Sequence, residues 1–252
     1  MSRVCGACRF AALCAIFAVW GVDALVRLAW YGGAMPVKKR AAWQNRWSRW
    51  ALRAFGVRRE IVGVAPVSGL LVCNHQSYLD ILIFSASTCG CFISKSEVKG
   101  WPFCGWIARA GGCIFLDRKK FGASRGVNAI AAQTMRDGAM VVLFPEGTTG
   151  DSTQLLPFHT ALYQSAMDAG VPVSAAAIRY ELPGGDVRTD VCYWGEMEMM
   201  PHLKRLLTLK GITGTLIFAD NAKFYANKRE ASKQTREIIE SMLERPAVLS
   251  GR

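Results

Sequence analysis

Histidine is the scarcest reactive residue in this 252-residue chain, occurring only as His75, His159 and His202. Any imidazole chemistry must therefore fall to one of three positions. Acidic residues are also few, 19 Asp and Glu against 31 Lys and Arg, which leaves a formal net charge of +12. That excess calls for an anionic partner, and nucleic acid, an anionic bilayer or a phosphorylated substrate would each serve. Charged residues make up 20% of the chain and hydrophobic ones 51%, so a sizeable core can be buried. Internal repeats and low-complexity tracts are absent, which sets aside repeat architectures.

A disulfide framework is missing despite nine cysteines. The count is odd, and Cys14, Cys73 and Cys113 sit in apolar runs, where a thiol behaves as a small hydrophobe. Cys89 and Cys91 are too close in sequence for a normal bridge. Cys5 and Cys8 form a lone Cys-x-x-Cys with no second pair and no nearby histidine, which argues against zinc. Mostly free thiols in a reducing compartment are the expectation.

The chain also lacks an unbroken apolar run of the roughly 20 residues that suit a spanning helix. It has Phe10 to Val22, uncharged and mostly apolar, closed by Asp23. A retained membrane anchor is the first reading. A signal peptide is the second, with Arg3 and Arg9 ahead of the run but no convincing small-residue cleavage site after it. A buried helix is the third. Residues 38–59 then mix Lys and Arg with Trp43, Trp47, Trp50 and Phe55. The three tryptophans recur at spacings of four and three, so they share one helical face. Basic residues around the rest suit anionic headgroups, as in an interfacial helix. A surface helix packing its tryptophans on the core is the alternative. A nucleic-acid-binding helix is weaker, because no binding motif follows it.

From residue 61 the chain alternates short apolar runs with helical stretches. Strands are expected at 69–74, 91–94, 112–117, 139–145, 173–179 and 212–218, with helices near 78–87, 124–137, 158–169 and 228–244. That alternation predicts an α/β domain over 61–252 with a largely parallel central sheet flanked by helices, preceded by a membrane-associated helical segment over 1–60. Sites in such sheets gather beyond the carboxyl ends of the strands.

Three motifs fall at such ends. The first is Asn74-His75-Gln76-Ser77-Tyr78-Leu79-Asp80. On one helix, residues five apart lie about 140° apart, so His75 and Asp80 can meet only across a strand-to-helix turn. There Asp80 would accept from one imidazole nitrogen and leave the other as a base. Alone, the pair also reads as helix capping by Asn74 or Asp80. The second is Gly112-Cys113-Ile114-Phe115-Leu116-Asp117-Arg118-Lys119-Lys120, a strand delivering a cationic cluster suited to a phosphate or, equally, a solvated basic loop. The third is Phe144-Pro145-Glu146-Gly147-Thr148-Thr149-Gly150-Asp151, a loop shaped for close backbone approach. Here Glu146 would bind polyol hydroxyls or order the loop.

Together, Asn-His-x4-Asp, Gly-x-Ile-Phe-x-Asp-Arg and Phe-Pro-Glu-Gly-Thr resemble the glycerolipid acyltransferase family that includes the 1-acylglycerol-3-phosphate acyltransferases. A fourth element, Val171-Pro172-Val173 with Ile178, is similar to the family's Val-Pro strand, and the resemblance covers about residues 65–220. It implies an acyltransferase catalytic domain in which His75 is the general base and Asp80 orients it. Arg118, with Lys119, would hold the acceptor phosphate, and Glu146, Gly147, Thr148 and Thr149 would line the acceptor site. It implies acyl-CoA or acyl-ACP as co-substrate, with no metal and no organic cofactor. The partners are membrane lipids, with a lysophospholipid as acceptor, and no nucleic acid. The expected location is the cytoplasmic face of a bacterial inner membrane, where the acyl donor is found.

Two positions depart from the family pattern. Thr149 stands where the family commonly has Arg, and Ser174-Ala175 replaces the usual second proline of the fourth element. Both leave the reaction type intact and leave the headgroup open between lysophosphatidic acid and a lysolipid without phosphate, such as lyso-ornithine lipid. His159 is a further headgroup or structural residue. A non-catalytic membrane-binding protein is the rival of a different class, against which the presence of both His75 and Asp80 weighs.

Overall fold

A computed structural model describes residues 2–32, 35–101, 104–117, 122–220 and 222–244. In chain order the elements are α1 (Ser2–Trp30), α2 (Val37–Phe55), β1 (Val57–Val62), β2 (Gly69–Cys73), α3 (Leu79–Ser87), β3 (Gly90–Lys95), α4 (Cys104–Ala110), β4 (Ile114–Leu116), α5 (Ala123–Arg136) and β5 (Met140–Leu143). They continue with α6 (Gln164–Ala169), β6 (Val173–Glu181), α7 (Val187–Asp190), α8 (Met199–Leu206), β7 (Ile212–Phe218) and α9 (Lys228–Glu244). The seven strands form one sheet in the order β1-β7-β6-β2-β5-β3-β4. Every neighbouring pair is parallel except β6 and β7, so β2 to β6 all point one way. The α/β architecture expected from the sequence is the one found.

Both faces of the sheet are buried, which is why the central strands read as continuous apolar runs rather than alternating ones. Along β2, Leu71 and Cys73 face one core cluster and Leu70 and Val72 the other, following the period of two. The same split places Ala176, Ile178 and Tyr180 of β6 on the first side and Val173, Ala175 and Ala177 on the second. The first cluster takes Leu52 and Phe55 from α2, Ile83 and Phe84 from α3 and Leu206 near the end of α8. The second takes Val127 and Met135 from α5 and Ile239 from α9.

The sequence reading and the fold differ at several boundaries. Helix α2 stops at Phe55, where Gly56 adopts a left-handed conformation (φ 70°) and returns its amide to Arg53 O at 3.0 Å. The basic residues that follow form β1, parallel to β7, rather than a further helical turn. The strand expected at 112–117 is confined to Ile114–Leu116, because Gly111 and Gly112 are tied back to α4 by bonds to Ile107 O and Arg109 O. The helix expected over 158–169 is regular only from Gln164, after a 3-10 turn at Ala161–Tyr163. His159 N donates instead to Pro145 O at 2.8 Å, holding the preceding stretch as a loop. Helices α4 and α8 carry no signal that the sequence reading used.

At the N-terminus, Val4–Trp30 is long and apolar enough to cross a membrane and is mostly exposed. Its exposed side chains include Val19, Val22, Leu25, Val26, Leu28 and Trp30. Asp23, which closes the apolar run in the sequence, joins α1 to α2. Its carboxylate accepts from Trp43 Nε1 (2.6 Å), Trp47 Nε1 (2.9 Å), Arg46 Nη2 (2.9 Å) and Arg27 Nε (3.0 Å). Trp43 is buried and stacks on Trp20 at 5.4 Å, whereas Trp50 on the same helix is 51% exposed. The packing reading of the tryptophan helix therefore holds at one end of the stripe, and the other end is bare. Cys5, Cys8, Cys14, Cys73, Cys89, Cys91, Cys113 and Cys192 are all free.

That gradient predicts unequal costs. In detergent solution Trp43→Ala is expected to lower unfolding stability by about 3–5 kcal/mol, the range for deleting a buried large aromatic. Trp50→Ala should stay within about 0.5 kcal/mol, as for other surface changes. Denaturant titration of both variants checks the order.

Candidate active site

Strand β2 delivers Asn74 and His75 into a short turn before α3. Asn74 is buried, and its side chain completes the sheet where the backbone leaves it. It donates from Nδ2 to Ile178 O at 2.9 Å and accepts from Ile178 N at 2.8 Å. One turn later the first residues of α3 bring Asp80 back beneath His75. Asp80 is fully buried, and its Oδ2 lies 2.7 Å from His75 Nδ1. The same oxygen accepts from Gln76 N at 2.7 Å and Ser77 N at 3.0 Å. The other oxygen, Oδ1, accepts from Tyr180 OH. A buried carboxylate is tolerable only when its lone pairs are filled, and here the helix N-terminus and a phenol fill them.

The loop after β5 completes the other side. Phe144 lies flat under the imidazole, ring centroids 4.1 Å apart and planes 12° from parallel. Glu146 is also buried, and its two oxygens accept from His75 N at 2.7 Å and Leu156 N at 2.9 Å. Burial pushes its carboxyl above the ordinary range, and the amides of Leu156 and His75 pull it part of the way back. Of the two roles read for Glu146, ordering the loop is visible in the geometry. Gly147 has φ 71° and returns its amide to Phe144 O at 3.1 Å, a turn that a side chain would strain. Gly150 N donates to His75 O at 2.8 Å. The histidine is thus held through its ring, its amide and its carbonyl, and its side chain stays 17% exposed.

The first and third motifs therefore meet, as His75, Asp80, Glu146 and Gly147. Thr148 is exposed at the rim and Thr149 is partly buried beside it. Arg118 and Lys119, the expected phosphate contacts, lie outside the described residues. His159 is exposed. Among the described residues no group of three or more His, Cys, Asp or Glu is arranged to hold a metal ion. Burial pushes both nearby thiols up, Cys73 well above its ordinary range and Cys192 to about 12, which disfavours the thiolate at each.

Several residues at the site were not singled out from the sequence. Tyr180 stands two positions beyond Ile178, on the same face of β6, and a buried tyrosine among alanines needs a partner for its hydroxyl. A second group brackets the turn from outside: Tyr193 N donates to Gln76 O at 2.9 Å, and Tyr78 OH pairs with His202 Nδ1 at 3.0 Å. Beside Gly150, Asp151 is paired with Arg188 at 3.0 Å, and Arg188 lies over Trp194. No sequence spacing announces these partners.

A family model described as "Acyltransferase" matches residues 59–179. The chain is 37% identical over 172 residues to a lyso-ornithine lipid O-acyltransferase of Pseudomonas aeruginosa, a match covering 65% of each chain. It therefore spans just under two thirds of that relative's length. It is 32% identical over 217 residues to a 1-acyl-sn-glycerol-3-phosphate acyltransferase of Neisseria meningitidis serogroup B, covering 82% of this chain and 84% of that one. The fold is similar to the crystal structure of a 1-acyl-sn-glycerophosphate acyltransferase from Thermotoga maritima, with TM-score 0.71 and 18% identity over all of both chains.

Two variants check the geometry. Glu146→Gln turns an amide NH2 toward one of the two backbone donors, and is expected to cost about 1–3 kcal/mol of stability. A denaturation midpoint equal to that of the parent would rule out the latch. His202 gives a pH test: burial holds its imidazole below the ordinary value of 6.5. The unfolded chain then binds the proton more readily, so this contribution to stability is whole above 6.5 and falls as pH drops below it. The loss of melting temperature between neutral and mildly acid pH should be smaller in His202→Gln than in the parent. By sequence, motif order and fold together, the chain belongs to the glycerolipid acyltransferase family.

Proposed function

We propose that this protein transfers a fatty acyl group from acyl-CoA or acyl-ACP to the free hydroxyl of a lysolipid, with 1-acyl-sn-glycerol 3-phosphate as acceptor and phosphatidic acid as product. The observation that carries the reading is the 2.7 Å contact between His75 Nδ1 and the buried Asp80 carboxylate. Asp80 keeps the ring proton on Nδ1 and leaves the lone pair of Nε2 as the base. In the reaction Nε2 takes the proton of the acceptor hydroxyl while that oxygen attacks the thioester carbonyl. The tetrahedral intermediate collapses by breaking the carbon–sulfur bond, and the departing sulfur takes the proton from His75. The nucleophile is the substrate's own oxygen, which suits a site whose nearby thiols are held protonated. Asp80 stabilises the imidazolium formed midway. No metal and no organic cofactor enter this scheme.

In this proposal Arg118 and Lys119 meet the acceptor phosphate, and Glu146, Gly147, Thr148 and Thr149 shape its seat. Of residues 1–60, α1 serves as the membrane attachment, whereas Leu52 and Phe55 of α2 and strand β1 pack with 61–252 in the catalytic unit, and the site lies on the cytoplasmic face of a bacterial inner membrane. The exposed apolar surface of α1 supports attachment to a bilayer, since such a surface is costly in water. A second reading of the acceptor is lyso-ornithine lipid. It is favoured by Thr149, which removes a cation from the third motif, and by relatives named for that activity.

Purified protein in detergent micelles, given labelled acyl-CoA and either lysolipid, tests both readings. Transfer to lysophosphatidic acid is the expected result, reduced at least about a thousandfold in His75→Ala, as for removal of a general base that acts as part of a dyad. Transfer to lyso-ornithine lipid alone would keep the mechanism and change the acceptor. Full activity in His75→Ala would overturn the mechanism.

A further inference from the structure

We propose that Tyr180 is a positioning residue for this reaction, donating to Asp80 so that the carboxylate stays correctly turned as the acceptor for His75. The inference rests on the reading of His75 and Asp80 as the base and its orienting acid, and it adds a third member from a different part of the fold. Nothing in the family resemblance or in the motifs points to residue 180.

The two oxygens of Asp80 are served differently. Oδ2 takes three donors from its own turn, namely His75 Nδ1, Gln76 N and Ser77 N. Oδ1 takes Tyr180 OH from β6, 100 residues away in sequence. The turn therefore already sets where Oδ2 lies, and any rotation about the Cβ–Cγ bond carries it away from all three donors. The phenol adds a fourth donor on the opposite oxygen, so the same rotation would break that bond too and the carboxylate is held more firmly in its place. It also satisfies an oxygen that faces no water, since Asp80 is fully buried. Burial and the adjacent Asp80 carboxylate push the Tyr180 hydroxyl well above its ordinary range, so it keeps its proton and acts as a donor.

The sheet makes room for this ring. Tyr180 is paired across the antiparallel ladder with Gly214 of β7. A Cβ at position 214 would lie 3.1 Å from Tyr180 Cε1 and 2.3 Å from Ile83 Cδ1. The absent side chain leaves room for the phenol between β7 and Ile83 of α3, from where its hydroxyl reaches Asp80. The other titratable groups facing the pair are His75 and Glu146, from the turns after β2 and β5, with Cys73 on β2 and Cys192 after α7. Burial keeps both thiols protonated.

The test is Tyr180→Phe, which keeps the ring over Gly214 and removes only the hydroxyl, assayed beside His75→Ala in detergent micelles with the acceptor that the parent uses. The expected kcat falls about ten- to a hundredfold, the worth of one hydrogen bond to a charged group, with the acceptor KM within about twofold. The acidic limb of the kcat/KM profile moves to higher pH, because a carboxylate without its donor takes up a proton more readily. A packing role would lower stability and leave that limb where it is. Should the variant not fold, 3-fluorotyrosine at position 180 keeps the shape with a stronger donor, and the limb then moves to lower pH. Loss of activity in His75→Ala together with a parent-like kcat and profile in Tyr180→Phe, or an unmoved profile with fluorotyrosine, overturns this inference alone. Undiminished turnover in His75→Ala overturns the reading on which it rests.

Discussion

A carboxylate with no access to water is the constraint from which the site follows. An isolated charge in a dry interior costs far more than the whole stability of a domain, of order 5–15 kcal/mol, so Asp80 has to be fully supplied with donors. It can meet that demand only if the turn after β2 wraps back over the start of α3, placing two amides and the His75 ring on one oxygen. The shape of the turn and the orientation of the imidazole are thus one requirement. The apolar layer around them, with Leu79, Ile83 and Phe84 packed under Phe144, excludes water and so strengthens each of those bonds.

Glu146 repeats the device from the other side of His75. It too is buried, and it too is satisfied by backbone amides, one of them that of His75 itself. Asp80 and Glu146 repel each other, which is one reason that Glu146 is held above its ordinary range after burial is counted. The histidine lies between two carboxylates and is bonded to one through its ring and to the other through its main chain. Two loops from parallel strands that are hydrogen-bonded neighbours, β2 and β5, are thereby locked to each other at the carboxyl edge of the sheet. That edge is where a parallel arrangement gathers loops from strands distant in sequence.

How much of this was legible depends on the distance over which each feature acts. His75, Asp80 and the Phe144–Gly147 turn could be named because their chemistry is local: short spacings, a proline, glycines, and strands whose apolar runs end beside them. The strands β2, β5 and β7 were equally plain, being buried on both faces. Strand β1 was hidden, since Val57–Val62 carries Arg58, Arg59 and Glu60 at the sheet edge and shows no apolar run. Tyr180 could not be seen as a partner of Asp80, because their meeting depends on the register of β6 against β2 and on the depth of a glycine at position 214. The role of Asp23 was likewise concealed. In the sequence it merely ends an apolar run, whereas in the fold it gathers two indoles and two guanidinium groups and fastens α1 to α2.

Such a site works by position more than by the strength of any one group. In the reaction proposed above the base is the His75 imidazole and the nucleophile belongs to the substrate, so the protein's contribution is orientation, a dry surround and a fixed place for charge to develop. Each of those is set before substrate arrives. The ring of His75 is clamped against Phe144, its Nδ1 is committed to Asp80, and its backbone is pinned at both the amide and the carbonyl. Nε2 is the ring nitrogen not committed to Asp80, on a side chain that stays 17% exposed. A lipid acceptor brings its hydroxyl on a long, flexible molecule, and the entropy lost in aligning it is smaller when the partner atom does not move. The rigidity around His75 is therefore part of the chemistry: the more completely the protein fixes this nitrogen in the folded state, the less of the alignment is left to the substrate.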